Sequence, residues 1–181
     1  MPNALKIPAL AVLVLLSGCS AQQTSSPRPS LKLLPPAEGS LAVLLQQKVI
    51  LQIGEKQQQF LLVARFEEHR SKMVLLSPTG QQLLMLDYDG DELVQHTQSS
   101  IDVPGKEILA VIQFAMWPGQ SIKDHYPQEN GWRVEISPKE RILLTAKGVI
   151  LKIIFDDEVL KIDNYLHNYR VFVYTLEKTA L

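Results

Sequence analysis

From Ile108 to Trp117 the chain reads Ile-Leu-Ala-Val-Ile-Gln-Phe-Ala-Met-Trp, nine apolar residues of ten, with Gln113 as the single polar one. Pro104 near its start and Pro118-Gly119 at its end bound a helix over Ile108–Trp117. A helix on the outside of a small domain keeps a polar face. This one has none, so it must be covered on both sides or must itself cover something apolar. The rest of the chain therefore has to present a broad apolar surface.

That surface is built from strands. Gln59 to Glu67 alternates Phe60, Leu62, Ala64 and Phe66 against Leu61, Val63, Arg65 and Glu67, the period of a strand with one fully apolar face. Met73–Leu76, Leu83–Tyr88 and Leu93–Thr97 follow, divided by Ser77-Pro78-Thr79-Gly80 and by Asp89-Gly90, both turn sequences. Loops this short join antiparallel neighbours, because parallel ones need long crossovers. After the helix and a polar stretch, Trp132–Ile136, Arg141–Ala146 and Val149–Phe155 read as strands. Tyr165–Leu176 closes the chain as a long one, with Tyr169, Val171 and Val173 opposite Arg170, Phe172 and Tyr174. Gly39-Ser40 is expected to start a short helix through Leu41, Leu44, Leu45 and Lys48, although Val49-Ile50-Leu51 looks extended. The expected fold is mainly β (α+β), a curved antiparallel sheet or incomplete β-barrel with the apolar helix as a lid on its concave side.

The N-terminus speaks of location. One lysine at Lys6 precedes Ile7–Leu16, ten residues without a polar side chain. That is signal-peptide architecture, and at ~1.5 Å per residue it is about half the length of a membrane span. Leu16-Ser17-Gly18-Cys19 resembles the lipobox of bacterial lipoproteins, which implies cleavage after residue 18 and acyl chains (palmitate among them) on Cys19. Three chains at ~0.8 kcal/mol per buried CH₂ would make the anchor effectively permanent. Ser20, where aspartate would favour inner-membrane retention, implies an outer-membrane lipoprotein on its periplasmic face. Residues 19–37, with Pro27, Pro29, Pro35 and Pro36, are expected as the lipidated cysteine and a tether able to reach roughly 55 Å in polyproline geometry. Its last third, with Leu31, Leu33 and Leu34, has the alternative of packing on the domain. The domain itself is expected over 38–181.

Little catalytic chemistry is legible. A formal net charge of −1 excludes a field that would hold nucleic acid. His69, His96, His125 and His167 have no metal-ligand spacing, and one cysteine supplies no thiolate cluster. Asp87-Tyr88-Asp89-Gly90-Asp91-Glu92 lacks the glycine and glutamate positions of a calcium loop and reads as a hairpin turn. Asp156-Asp157-Glu158 reads as a solvated loop. No nucleophile elbow, phosphate loop or dinucleotide fingerprint occurs, so neither catalytic residues nor a metal or cofactor is expected. The apolar inventory is the informative part: Phe60, Leu62, Phe66, Leu84, Leu86, Ile108, Ile112, Phe114, Met116 and Trp117 would line the concave face and its lid. Either they fill that space as an ordinary core or they leave part of it open to an acyl chain.

With these residues in view, the chain resembles an uncharacterised family of bacterial lipoproteins, a domain of unknown function linked to aryl-polyene and fatty-acid-type gene clusters. The matching elements are the lipobox, Ser77-Pro78-Thr79-Gly80-Gln81, Asp87-Tyr88-Asp89-Gly90, the helix with Gln113 and Trp117-Pro118, Gly131-Trp132, Tyr169-Arg170 and Thr175-Leu176. More distantly it is similar to the outer-membrane lipoprotein receptor and periplasmic carrier (LolB/LolA-like), an incomplete barrel with a helical lid over an apolar cavity. The receptor's exposed turn leucine is replaced here by Thr79. The resemblance implies a non-enzymatic lipoprotein that binds an acyl or polyene lipid chain and assists its transfer or insertion at the outer membrane. The alternative is a scaffolding lipoprotein that binds a periplasmic protein partner.

Overall fold

The inner and outer faces of the molecule are set by strand alternation. The computed structural model describes residues 29–39, 42–98 and 104–181, and Leu31–Leu181 form one compact unit. The segment expected as an export signal, Cys19 and most of the stretch expected as a tether lie outside the described residues.

Two antiparallel meanders make the sheet. The first is β1 (Val43–Ile53), β2 (Lys56–Glu67), β3 (Arg70–Leu76), β4 (Gln82–Tyr88) and β5 (Leu93–Thr97). The second is β6 (Trp132–Ile136), β7 (Glu140–Thr145), β8 (Gly148–Phe155), β9 (Leu160–Asn164) and β10 (Tyr169–Ala180). They join through β1 and β10, giving one ten-stranded antiparallel sheet in the order β5-β4-β3-β2-β1-β10-β9-β8-β7-β6. The sheet is open, because β5 and β6 are its two edges and do not pair. Short turns hold the meanders in register: Gly80 takes φ +84 where the β3–β4 turn needs it, and its N–H donates to the Ser77 carbonyl at 2.9 Å. Register shifts at Gln46/Gln47, Leu75/Leu76 and Leu143/Leu144 are bulges, which bend and twist a strand.

Between the meanders run α1 (Gly105–Met116), α2 (Gly119–His125) and a 3₁₀ turn at Gln128–Asn130; a second 3₁₀ turn, Pro36–Gly39, precedes β1. The helix expected through Leu44, Leu45 and Lys48 is instead the start of β1. There Val43 and Leu45 pair with Phe66 and Ala64 and turn their side chains into the core, so sheet pairing overrides the helix-like spacing. Tyr165–Asn168 form the β9–β10 turn rather than the start of the last strand, with Asn168 at φ +54. β9 and α2 carry no expectation from the sequence. The core lies on one face of the sheet, where Phe66, Leu84, Leu86, Leu143, Leu151 and Ile153 are fully buried together with Leu109 and Phe114 of α1.

Candidate functional site

The apolar helix is covered nearly all round. Leu109, Ala110, Val111, Phe114 and Ala115 are buried, and Gly105 starts the helix where a Cβ would lie 2.5 Å from Leu86 Cδ2. The sheet covers part of it. An N-terminal arm, Leu31–Pro35, covers another part, with Leu31 and Leu34 in the core. The compact unit thus begins at Leu31, within the stretch expected to be tether.

Side chains of the helical segment hold the arm by its backbone. Gln113, 0% exposed, accepts from the Leu34 N–H at 2.9 Å and donates to the Leu34 carbonyl at 2.7 Å, as a neighbouring strand would. Trp117 Nε1–H donates to the Pro35 carbonyl at 3.0 Å, and Tyr126 Oη accepts from the Lys32 N–H at 2.9 Å. Burial pushes the Tyr126 phenol up to about 12, with the Lys32 backbone acting in the opposite sense. Gly39 then passes so close to the Trp117 indole that a Cβ would sit 2.8 Å from its Cε2. The polar residue that sequence leaves alone on an apolar helix is therefore the fastener of the arm; its type and isolation were the only signal.

The ten residues expected to line a lipid cavity separate into two groups. Leu62, Phe66, Leu84, Leu86, Phe114 and Trp117 are sealed into the core, where the Phe66 and Trp117 rings meet edge to face at 5.4 Å. Phe114, Tyr126 and Trp132 continue the packing as successive edge-to-face pairs at 5.8 and 5.2 Å. Phe60, Ile108, Ile112 and Met116 are only half-buried. Ile108, Ile112 and Met116 lie four residues apart, so they form one stripe along α1. Val49, Leu75, Phe155, Leu160 and Val171, on the inner face of the sheet, are half-buried in the same way. The apolar interior is thus closed around Trp117 and incompletely closed along this stripe and the middle of the inner face.

Arg141 is the polar exception on that face. It pairs in register with Ile136 and Ile153 and shares the face of buried Leu143. Its Nη1 donates to the Phe114 carbonyl at 2.9 Å and the Trp117 carbonyl at 2.7 Å, both at the carbonyl-rich end of α1. The guanidinium stands 5.5 Å from the centre of the Phe155 ring, and burial lowers its pKa from the ordinary value. In a sequence it reads as the polar side of a strand.

At the other end of α1, Glu107 gathers a polar cluster. Asn164 Nδ2 donates to Glu107 Oε1 at 2.8 Å, the Tyr169 hydroxyl donates to the same oxygen at 3.1 Å, and His167 Nε2 lies 2.9 Å from Glu107 Oε2. Burial raises the Tyr169 pKa, and the Glu107 charge adds to it. Beside the cluster is a polar pocket of about 180 Å³ lined by Gln52, Asp163, Asn168 and Arg170 among others. These contacts fix the start of α1 to the β9–β10 turn.

The remaining candidates are surface or bracing groups. His125 Nδ1 lies 3.0 Å from the Ser121 carbonyl and 3.4 Å from Glu38 Oε2, while Ser121 Oγ donates to Glu38. Serine, histidine and carboxylate meet, but the hydroxyl donates to the carboxylate and not to the imidazole, so the three are not arranged as a serine–histidine–acid relay. His69 and His96 are exposed. Asp89 Oδ1 accepts from the Asp91 and Glu92 N–H groups at 2.9 and 2.8 Å, which makes the acidic segment a self-bonded turn. Thr79 sits exposed in the β3–β4 turn, its Oγ1 2.8 Å from Ser77 Oγ. Among the described residues no group of three or more His, Cys, Asp or Glu comes together as a metal site.

A family model described as "Protein of unknown function (DUF3261)" matches residues 44–177. Among curated proteins none matches. One similar solved structure is a domain described as an outer membrane lipoprotein-sorting protein domain from Vibrio parahaemolyticus. It is 8% identical, covering 76% of this chain and 84% of that one at a TM-score of 0.42.

Proposed function

Since the chain belongs to the family described as "Protein of unknown function (DUF3261)", its activity is argued from its own residues, and we propose that it is a lipid-anchored envelope protein that binds an acyl or polyene chain against α1. The chain would be passed on at the outer membrane without chemical change. The observation that carries this is the half-buried stripe Ile108, Ile112 and Met116 on a helix otherwise enclosed, with half-buried Val49, Phe60 and Leu75 on the inner face of the sheet. Apolar surface left partly wet in an interior otherwise packed favours an apolar ligand, at ~25 cal/mol per Å² removed from water. Among the described residues no helix is long and apolar enough to cross a membrane. The attachment proposed is acylation of Cys19, and Cys19→Ser is expected to abolish incorporation of labelled palmitate and to release the protein from the membrane fraction. Titration with a fluorescent fatty acid tests the binding itself: saturable, one-to-one binding is expected, and none at any concentration below the probe's own aggregation would remove the proposal.

A second reading, a scaffold for a protein partner, has its own observation. Val63, Val74 and Met85 stand side by side on the outer face of β2, β3 and β4, all half-buried, near the unpaired edge β5. Failure of lipid binding together with recovery of a stoichiometric protein complex would favour it.

A further inference from the structure

Beside half-buried Phe155 the inner face of the sheet carries a cation, Arg141, that has no ion-pair partner among the described residues. Arg141 has its backbone between those of Ile136 and Ile153, its side chain on the apolar inner face, and the Phe155 ring beside its guanidinium. Among the described residues no carboxylate lies within ion-pair distance of it, whereas Arg65, Arg70, Arg133 and Arg170 all have one. A guanidinium drawn out of water without an acid is costly unless an anion meets it.

Its hydrogen bonds show where the anion would go. Both contacts to α1, to the carbonyls of Phe114 and Trp117, come from Nη1. The edge formed by Nε and Nη2 has no acceptor among the described residues. That edge carries two parallel N–H groups, the pair that takes a carboxylate or a phosphate side-on. Capping the end of the helix explains Nη1 and fixes the plane of the fork. It leaves Nε and Nη2 without a protein acceptor among the described residues.

We propose that Arg141 is the receptor for the anionic head of the acyl ligand, a carboxylate or a phosphate on Nε and Nη2, with the chain running from there along α1. Met116 belongs to the same helical turn as the two carbonyls that hold Arg141. From Met116 the stripe continues through Ile112 to Ile108, about 12 Å at 1.5 Å per residue. The head is thus fixed at the C-terminal end of α1 and the tail lies toward its N-terminal end. The anion also supplies the counter-charge that the neighbouring side chains do not. This inference rests on the acyl-binding reading and adds to it the polarity of the ligand and its direction in the site.

The test uses the full lipoprotein in its membrane and three photoactivatable probes with one and the same alkyl chain: a fatty acid, an alkyl phosphate and a fatty alcohol. Labelling is normalised to that of an unrelated lipoprotein in the same membrane. The parent is expected to take the acid, the phosphate or both about tenfold or more above the alcohol, as one bidentate charged contact allows, and which of the two leads identifies the head. Arg141→Gln is expected to bring the ratio to about one. Arg141→Lys, which keeps the charge and loses the fork, should fall between, and unchanged protease resistance of either variant shows that the fold is retained. Equal labelling of the parent by all three probes, or a ratio unaffected in a folded Arg141 variant, would overturn the assignment while leaving acyl binding in place. Labelling by none of the probes would remove the acyl-binding reading, and this inference with it.

Discussion

Gln113 is the residue on which the arm depends. Its amide satisfies both polar groups of the Leu34 backbone where no water reaches, and Leu34 is itself 0% exposed. Gln113→Leu keeps the volume and leaves a buried donor and a buried acceptor unpaired, which at ~1–3 kcal/mol each predicts a loss of about 2–6 kcal/mol. Urea denaturation should show that loss, and limited proteolysis should then cut within 31–35, where the parent resists. A parent-like midpoint would mean that the arm is held by its leucines alone. Asp87 gives a second, pH-dependent expectation. The hydrogen bonds from Arg70 at 2.6 and 2.9 Å hold its carboxyl below the ordinary range, against the opposing effect of partial burial. A depressed folded-state pKa gives stability that is fully present above the unfolded value of about 3.9 and is lost as pH falls through the folded one. The advantage of the parent over Asp87→Asn should therefore be constant from pH 5 to 7 and disappear in the acid limb. An advantage that does not diminish at all as pH falls below about 3.9 would contradict the pairing.

At the scale of elements, α1 combines a sealed side and an open one, and the two can be separated by substitution. Ala115, buried, has no room for three more carbon atoms, so Ala115→Leu is expected to overpack and destabilise by ~1–3 kcal/mol. Ile112→Glu, on the half-buried stripe, should cost about 1 kcal/mol or less in stability and reduce fatty-acid binding at least about tenfold. Thermal midpoints and probe titration on both variants check the contrast; equal effects on both quantities would mean that the stripe is core.

What was legible in the sequence follows from the same physics. The strands β2 to β8 and the presence of α1 could be read because alternation, turn residues and proline brackets act locally. The helix starts at Gly105, three residues before the expected Ile108, because polar Lys106 and Glu107 form its first turn, and Trp117 is its extended C-cap. The start of β1 could not, since Leu41, Leu44, Leu45 and Lys48 have helical spacing and only pairing with β2 and β10 decides the matter. In β9 the inner face carries Asn164 after Leu160 and Ile162, and that polar residue hides the period. In α2 only Ile122 is buried, and a single apolar residue has no period at all. The site was half legible. Composition marks the apolar lining, but which side of α1 stays open depends on the arm, and Arg141 becomes notable only once its lack of an acid is visible.

Across the whole molecule, the central pair of strands joins two meanders of five, and the sheet they form remains open at β5 and β6. The helices and the arm close part of its inner face around Trp117. Arm, α1 and sheet are consecutive layers of one compact unit, so a pull on the arm would be felt first at Gln113 and Trp117, on the helix that bounds the open stripe. The proposed acyl binding rests on the one side of this helix that stays half-buried, Ile108, Ile112 and Met116. The most direct measurement is native mass spectrometry of the Cys19→Ser protein, with extraction and identification of whatever lipid stays bound. A discrete mass increment of one acyl lipid, exchanged by added fatty acid and absent from Ile112→Glu, is expected. A bare polypeptide mass in the parent, unchanged when fatty acid is added, would contradict it.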